Sequence, residues 1–346
     1  MSHTRPILAI TMGDPAGIGP EVIVGALVKR TLRGIFQPLI VGDARILGRA
    51  AAAAGKRFPV RSVATAADAA RHPQSICLLD LRNADPDAIS SGQLSATAGR
   101  AAADYVMRAV ELAQSGAVAG IVTAPINKEA LRLAGVPYPG HTEMLSALCG
   151  GCEVAMMLVY GNMRVSHVTT HVSLRQACDL VKRERVLSVI KLTDEALRKF
   201  PRPSGMARLR RIAVGGLNPH AGESGMFGDE EIREIAPAVA DAQAEGIDAV
   251  GPLPPDTVFA RHCAGNFDAV VAMVHDHGHI AVKTVGFMPD VPGGTRIAGV
   301  NVTLGLPIIR TSVDHGTAFE IAGKGLADPT SMVDAITLAA EMAGTA

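Results

Sequence analysis

The sequence contains no tryptophan, and aromatic residues of all kinds make up only 3% of it. Proteins that hold single-stranded nucleic acid stack bases on aromatic side chains, so that class is disfavoured. Neither sign of charge is in excess: Lys+Arg and Asp+Glu each number 33. A general nucleic-acid binder carries a basic surplus, which is missing here, although a local basic pocket is not excluded. Cysteine is scarce. Cys77, Cys149, Cys152, Cys178 and Cys263 are odd in number and thinly spread, unlike a disulfide framework. Cys149 and Cys152 form a C-x-x-C, but a zinc ribbon needs a second pair. Gly150-Gly151 between them reads as a helix C-terminus. No apolar run is long enough to span a membrane. The opening M-S-H-T-R-P-I-L-A-I-T-M-G-D is too short in apolar residues for a signal peptide. These absences lead to the expectation of a soluble, cytoplasmic protein with neither nucleic acid nor membrane as partner.

What is present is a core-forming chain of 346 residues, 48% hydrophobic, enough for one large or two ordinary domains. Short apolar runs alternate with helical patterns. Ile7–Thr11 leads through Gly13-Asp14-Pro15-Ala16-Gly17-Ile18-Gly19-Pro20 into a helical Val22–Arg30, with Pro20 suited to a first helical turn. Gly17 and Gly19 have the spacing of a dinucleotide fingerprint, but Val22 stands at the third glycine position, so the fingerprint is not met. Strands are expected at Gln37–Val41, Ile76–Leu81 and Gly120–Thr123, with an alanine-rich helix between Ser91 and Gln114. Ala155–Tyr160 and Met163–Thr169 read as a hairpin turning at Gly161-Asn162, and Leu174–Phe200 as one charged helix. Arg202–Arg211 reads as an exposed basic loop, Arg211–Leu217 as a strand, and Val250–Asp256 as a proline-rich segment in which Asp256 caps a short helix. The alternation implies an α/β fold with a mostly parallel sheet covered by helices. Such sheets bind ligands beyond the carboxyl ends of their strands, where Asp14, Asn127 and Lys128 fall.

The densest concentration of chemistry is Met273–Lys283, M-V-H-D-H-G-H-I-A-V-K, which follows the apolar run Ala269–Val274. In an extended segment His275, His277 and His279 would share one face. If the strand instead ends near His275, as Gly278 suggests, only one imidazole projects from its end. A metal site, a proton-transfer site and a plain polar loop all fit this stretch. His171 and His220 have the same context as His275, each just past an apolar strand. A lone histidine there is more often a hydrogen-bonded loop residue. Three together could hold a divalent cation and leave coordination positions open for chemistry. Arg310 closes the buried strand Pro307–Ile309 and needs a negative partner, either Asp314 or a substrate anion.

Taken together, eight strings resemble the 4-hydroxythreonine-4-phosphate dehydrogenase family, the pyridoxal phosphate biosynthetic proteins of PdxA type. They are G-D-P-A-G-I-G-P-E (13–21), T-A-P-I-N-K-E-A (123–130), P-G-H-T-E (139–143), T-T-H-V-S-L-R (169–175), N-P-H-A-G-E (218–223), G-P-L-P-P-D-T-V-F (251–259), H-D-H-G (275–278) and G-V-N-V-T-L-G-L-P-I-I-R-T-S-V-D-H-G-T-A (299–318). The resemblance implies two α/β domains flanking a cleft, as in isocitrate and isopropylmalate dehydrogenases. On that pattern residues 1–135 and 300–346 form a discontinuous first domain. Residues 136–299 form a second, with most metal ligands and the interface of a homodimer. It further implies NAD- or NADP-linked oxidation of a secondary alcohol on a four-carbon phosphorylated hydroxy acid, with 4-phosphohydroxy-L-threonine foremost, followed by decarboxylation. His171, His220 and His275 would hold the metal: zinc foremost, with cobalt, manganese, magnesium or nickel as alternatives. His141, Thr142, Lys283, Asn301 and Arg310 would contact substrate, and Lys283 and Asp256 would be catalytic. No residue is assigned to the nicotinamide cofactor.

Two departures from the family pattern bear on the substrate. His277 stands where members usually have Gln, and the Phe287–Ala298 stretch is longer than the usual link. Catabolic relatives oxidise D-threonate or D-erythronate 4-phosphate, or a terephthalate cis-dihydrodiol, and this chain could be one of them. A metal-dependent hydrolase or lyase working without NAD is the competing class.

Overall fold

The short apolar runs become buried strands. A computed structural model of the chain describes residues 5–32, 34–200, 210–286 and 299–344. The long link at 287–298 and most of the loop expected at 202–211 lie outside these residues. The strands are β1 (Ile7–Thr11), β2 (Gln37–Gly42), β3 (Val60–Val63), β4 (Ile76–Asp80), β5 (Gly120–Thr123), β6 (Ala155–Tyr160), β7 (Met163–His167), β8 (Ile212–Gly215), β9 (Ala249–Leu253), β10 (Ala269–Ala272), β11 (Val300–Leu304) and β12 (Ile309–Val313). The chain divides into two compact units, residues 1–153 with 306–346, and residues 154–305.

In the first unit the strands run β3-β4-β2-β1-β5-β12, every pair parallel. The central strands are buried along nearly their whole length, as a parallel sheet with helices on its faces requires. The alanine-rich helix spans Ala96–Gln114, where the Ser95 hydroxyl accepts from the Ala98 N–H as its cap. The unit boundaries differ from those expected at 135/136 and 299/300. The helix His141–Leu148 belongs to the first unit, tied to Ala96–Gln114 by the Gln114 amide donating to the Leu148 carbonyl. Cys149 ends that helix and Gly150 and Gly151 take positive φ, so C-x-x-C is a helix terminus, as its glycines suggest.

In the second unit the order is β11-β6-β7-β10-β8-β9. The β6–β7 hairpin is antiparallel, while β7, β10, β8 and β9 are mutually parallel. Leu158, Val165, Val258, Val270 and Val282 form its core. Two strands had no clear sequence signal. β3 has no buried residue, and β9 carries a proline that only an edge strand tolerates. The helix expected over 174–200 is two, Leu174–Leu180 and Arg183–Lys199. Among the described residues no helix is long and apolar enough to cross a membrane.

Candidate active site

The second unit places its histidines by strand order. β7, β10, β8 and β9 are neighbours in that order and run parallel, so their carboxyl ends lie side by side. Just past those ends come, in the same order, His171, His275, His220 and Asp256. Residues distant in sequence thus arrive on one edge of one sheet.

β10 stops at Ala272, and a helix begins at His275 and runs to Gly286. The three histidines are therefore helical, not extended. Positions i, i+4 and i+8 share a helix face, so His275, His279 and Lys283 line one side while His277 projects from the other. The His275 and His279 rings stack at 3.6 Å between centroids, 12° apart in plane. His279 in turn lies 4.8 Å from the ring of His167, the buried last residue of β7. Gly278 makes this layer fit, because a Cβ there would come within 2.2 Å of His167 Nε2. Burial pushes the His167 pKa down to about 3 and that of His279 to about 4, and neighbouring imidazoles add to both shifts, so both rings are neutral at pH 7.

His171 stands 5.6 Å from His275, ring centre to ring centre. His275 Nδ1 lies 2.7 Å from Asp276 Oδ1, and His220 Nδ1 lies 3.2 Å from Glu223 Oε2. When Nδ1 carries the proton and donates to a carboxylate, Nε2 is left as a lone-pair donor, which is how metal-ligating histidines are oriented. The donor chemistry of His220 and His275 thus fits a cation. Among the described residues, however, no three metal-capable side chains of a single chain converge on one point.

His220 sits in an unusual turn. His220, Ala221, Gly222, Glu223 and Ser224 all take left-handed backbone angles. Four of these residues carry a Cβ, and each costs roughly 1 kcal/mol or more in that region. A buried carboxylate offsets the strain. Glu231 Oε1 accepts from the N–H groups of Leu217 and Asn218, each at 2.7 Å, and Oε2 accepts from the Asn218 amide at 2.9 Å. Sequence reading missed Glu231, since nothing local marks an acid that bonds backbone fourteen residues back.

In the first unit, Arg310 on β12 is 4% exposed and donates to Thr123 Oγ1 on β5 at 2.7 Å. Burial lowers its pKa to about 10, so it stays charged at neutral pH. Burial, and then the charge of Arg310, hold His141 well below its ordinary value, and its shielded Nε2 has no partner among the described residues. A neutral imidazole thus lies close enough to a buried guanidinium to feel its charge, with the exposed Thr142 next in the chain, a donor set whose chemistry suits an anionic oxygen. Asp14, past the end of β1, is fully buried. Its Oδ1 accepts from the Ala16 N–H, its Oδ2 has no partner among the described residues, and burial raises its pKa to about 6.

Other expected residues are placed more loosely. Asp256 is exposed in the first turn of the helix Pro255–Cys263, whose cap is Pro254, so it does not cap that helix. Asn301 is half-buried on β11. The space beside the glycine-rich turn is filled by protein: a Cβ on Gly13 or Gly19 would meet the carbonyls of Pro125 or Met12 at 2.4 Å. At these two positions the turn is packed closely against the chain, which is why glycine is needed there.

A family model described as pyridoxal phosphate biosynthetic protein PdxA matches residues 34–339. The chain belongs to this family. D-threonate 4-phosphate dehydrogenase of Cupriavidus necator is 46% identical over 344 residues, 99% of each chain. A Bradyrhizobium diazoefficiens protein provisionally given the same name is 50% identical over 344 residues, 98% of this chain and 97% of its own. The crystal structure of 4-hydroxythreonine-4-phosphate dehydrogenase from Klebsiella pneumoniae is similar with a TM-score of 0.86 at 45% identity, over 99% of both chains. In this PdxA-family chain the H-D-H-G string is therefore a helix start, with its first and third histidines stacked and the second turned away.

Proposed function

We propose that this chain is a metal- and NAD-dependent dehydrogenase that oxidises the C3 alcohol of D-threonate 4-phosphate and releases the C1 carboxyl as carbon dioxide. The observation that carries this is the order His171, His275, His220, Asp256 along one edge of parallel strands, in a chain similar over its whole length to D-threonate 4-phosphate dehydrogenases. Oxidation at C3 gives a β-keto acid. The hydride goes to NAD and the hydroxyl proton to a base. Loss of carbon dioxide then leaves a three-carbon hydroxyketone phosphate.

The residues divide this work. Arg310 and His141 bind an anionic group of the substrate, with Thr123 holding the guanidinium in place and Thr142 and Asn301 adding hydrogen bonds. Asp256 accepts the hydroxyl proton. Lys283, on the helix face shared with His275, supplies positive charge where the oxygen becomes negative. A divalent cation on His171, His220 and His275 supplies, when bound, Lewis-acid polarisation of the alcohol and charge stabilisation after decarboxylation. Three imidazoles suit zinc with an open position, and suit the oxygen-seeking magnesium least. We take the ligand set to be shared between protomers of a homodimer. Mixing inactive His171→Ala and His275→Ala proteins should restore part of the activity if those two ligands come from different protomers; mixtures that stay dead would place His171 and His275 in one chain's share of the site, and mixing His220→Ala with His275→Ala then tests His220 as the partner's contribution.

A second reading, 4-phosphohydroxy-L-threonine as substrate, is supported by the likeness to the Klebsiella pneumoniae structure. The deciding experiment compares kcat/KM for the two acids with NAD and identifies the product as hydroxyketone or aminoketone phosphate. D-threonate 4-phosphate should win by at least tenfold. Preference for the amino acid would sink the first reading. Chelator-sensitive turnover without reduced nicotinamide would point to a hydrolase or lyase.

A further inference from the structure

At the end of the first unit's sheet opposite to Asp14 and Thr123 lies a cavity of about 930 Å³. Its rim is made where the strands begin: Arg5 precedes β1, Phe36 precedes β2, Arg57 and Phe58 precede β3, and Arg61 is the second residue of β3. Strands of five and six residues separate this rim from the carboxyl ends by roughly 15–20 Å. The cavity is thus separate from the groups around Asp14 and Thr123 at the strands' carboxyl ends.

Its charge is one-sided. Arg5, Arg57 and Arg61 all line it, and among the described residues no Asp or Glu does. None of the three makes a side-chain hydrogen bond or ion pair among the described residues. Arginines elsewhere in the same unit behave differently: Arg45, Arg71, Arg82, Arg108 and Arg132 each bond a carboxylate. The helix Gly19–Leu27 ends at the cavity, but its carbonyl terminus carries only about half a unit of negative charge, too little to balance three guanidinium groups. The floor is apolar, with Leu27 and Phe36 buried and Phe58 half-buried. Unpaired like charges around one concavity repel one another, and a bound anion relieves that repulsion.

We infer that this cavity is a second ligand site, for a small organic anion with an apolar or aromatic body whose phosphate, sulfonate or carboxylate is held by Arg5, Arg57 and Arg61. Its volume lies within the range of small-molecule sites, and its apolar floor with a few convergent polar groups matches their make-up. The site does not depend on which substrate is turned over at the strands' carboxyl ends.

The test uses two fluorescent probes of similar shape, 8-anilinonaphthalene-1-sulfonate and the uncharged N-phenyl-1-naphthylamine, titrated into the full-length protein. The wild-type chain should bind the sulfonate saturably, one per chain, and at least tenfold more tightly than the neutral probe. Arg57→Glu/Arg61→Glu should weaken the sulfonate at least tenfold while leaving the neutral probe and dehydrogenase turnover within twofold. Arg57→Gln/Arg61→Gln, which adds no new charge, should weaken it in the same direction and covers the case in which the glutamate variant folds poorly. Sulfonate affinity unchanged in the glutamine variant overturns the inference. So does no saturable binding to the wild type, or displacement of the sulfonate by the phosphorylated substrate.

Discussion

The imidazoles of His275 and His279 stack at 3.6 Å, one helical turn apart, while His279 also rests on the buried ring of His167. His275 is thus held from behind by a layer of neutral rings rather than by its own backbone alone. Replacing His279 with Ala should free the His275 ring. Groups that orient a ligand are typically worth 10–100-fold in metal affinity or activity, so a loss of about that size is expected. Metal content measured after dialysis, alongside kcat, checks it. His279→Phe, which keeps a flat ring, should recover part of the loss.

Gly278 is where that layer would fail sterically. A methyl group there meets His167 Nε2 at 2.2 Å, and His167 is fully buried, so the clash must be relieved by shifting packed side chains. Gly278→Ala should cost about 1–3 kcal/mol of stability, as overpacking does. A denaturant series would show it as a lower midpoint. Pairing the change with His167→Ala should recover part of the loss, and additivity of the two changes would deny the contact.

Glu231 supports the left-handed turn that presents His220. Glu231→Gln keeps the shape but replaces one acceptor oxygen by a donor facing N–H groups. A loss of about 2–4 kcal/mol is expected, since a charged acceptor is removed and buried donors are left unpaired. Metal affinity should fall more than global stability does. A variant that melts earlier but binds metal normally would detach the turn from the site.

Arg310→Met should lower kcat/KM for a phosphorylated acid by about 100-fold or more, because truncating one partner of a buried charge pair costs about 2–5 kcal/mol. Arg310→Lys should rescue little, having lost the fork that meets Thr123 and an anion together.

Asp14 sets a pH dependence. Burial raises its pKa from 3.8 to about 6, so the folded chain holds this proton more tightly than the unfolded one. Stability from this group is therefore greatest below pH 3.8, falls as pH rises toward 6, and is flat above it. The full penalty is about 3 kcal/mol at neutral pH. Asp14→Asn keeps the acceptor for the Ala16 N–H and removes the penalty. Its stability gain over wild type should grow between pH 4 and 6 and then level off, read by urea titration across pH.

Much of this was legible in the sequence, and the reasons are local. β1, β5 and β10 are unbroken apolar runs, which pointed to the α/β class, and the apolar runs of β7, β8 and β10 placed His171, His220 and His275 at strand ends. β3 was illegible because it buries no side chain, and β9 because a proline interrupts it at the sheet edge. Of the two readings open for 275–279, the structure bears out the strand ending before His275; the extended one fails because period two groups His277 with its neighbours and a helix separates it. Long-range partners were beyond reach. Nothing near Arg310 names Thr123, and nothing near Asn218 names Glu231, because folding alone brings them together.

The proposed reaction is a metal-assisted, nicotinamide-linked oxidation of D-threonate 4-phosphate. The most direct measurement follows reduced nicotinamide from the zinc-loaded protein, the substrate and NAD, with carbon dioxide and the three-carbon ketone phosphate quantified together. The three should appear in equal amounts, stop on addition of a chelator, and vanish in His275→Ala. Substrate consumed without reduced nicotinamide, or turnover unchanged after verified metal removal, would contradict it.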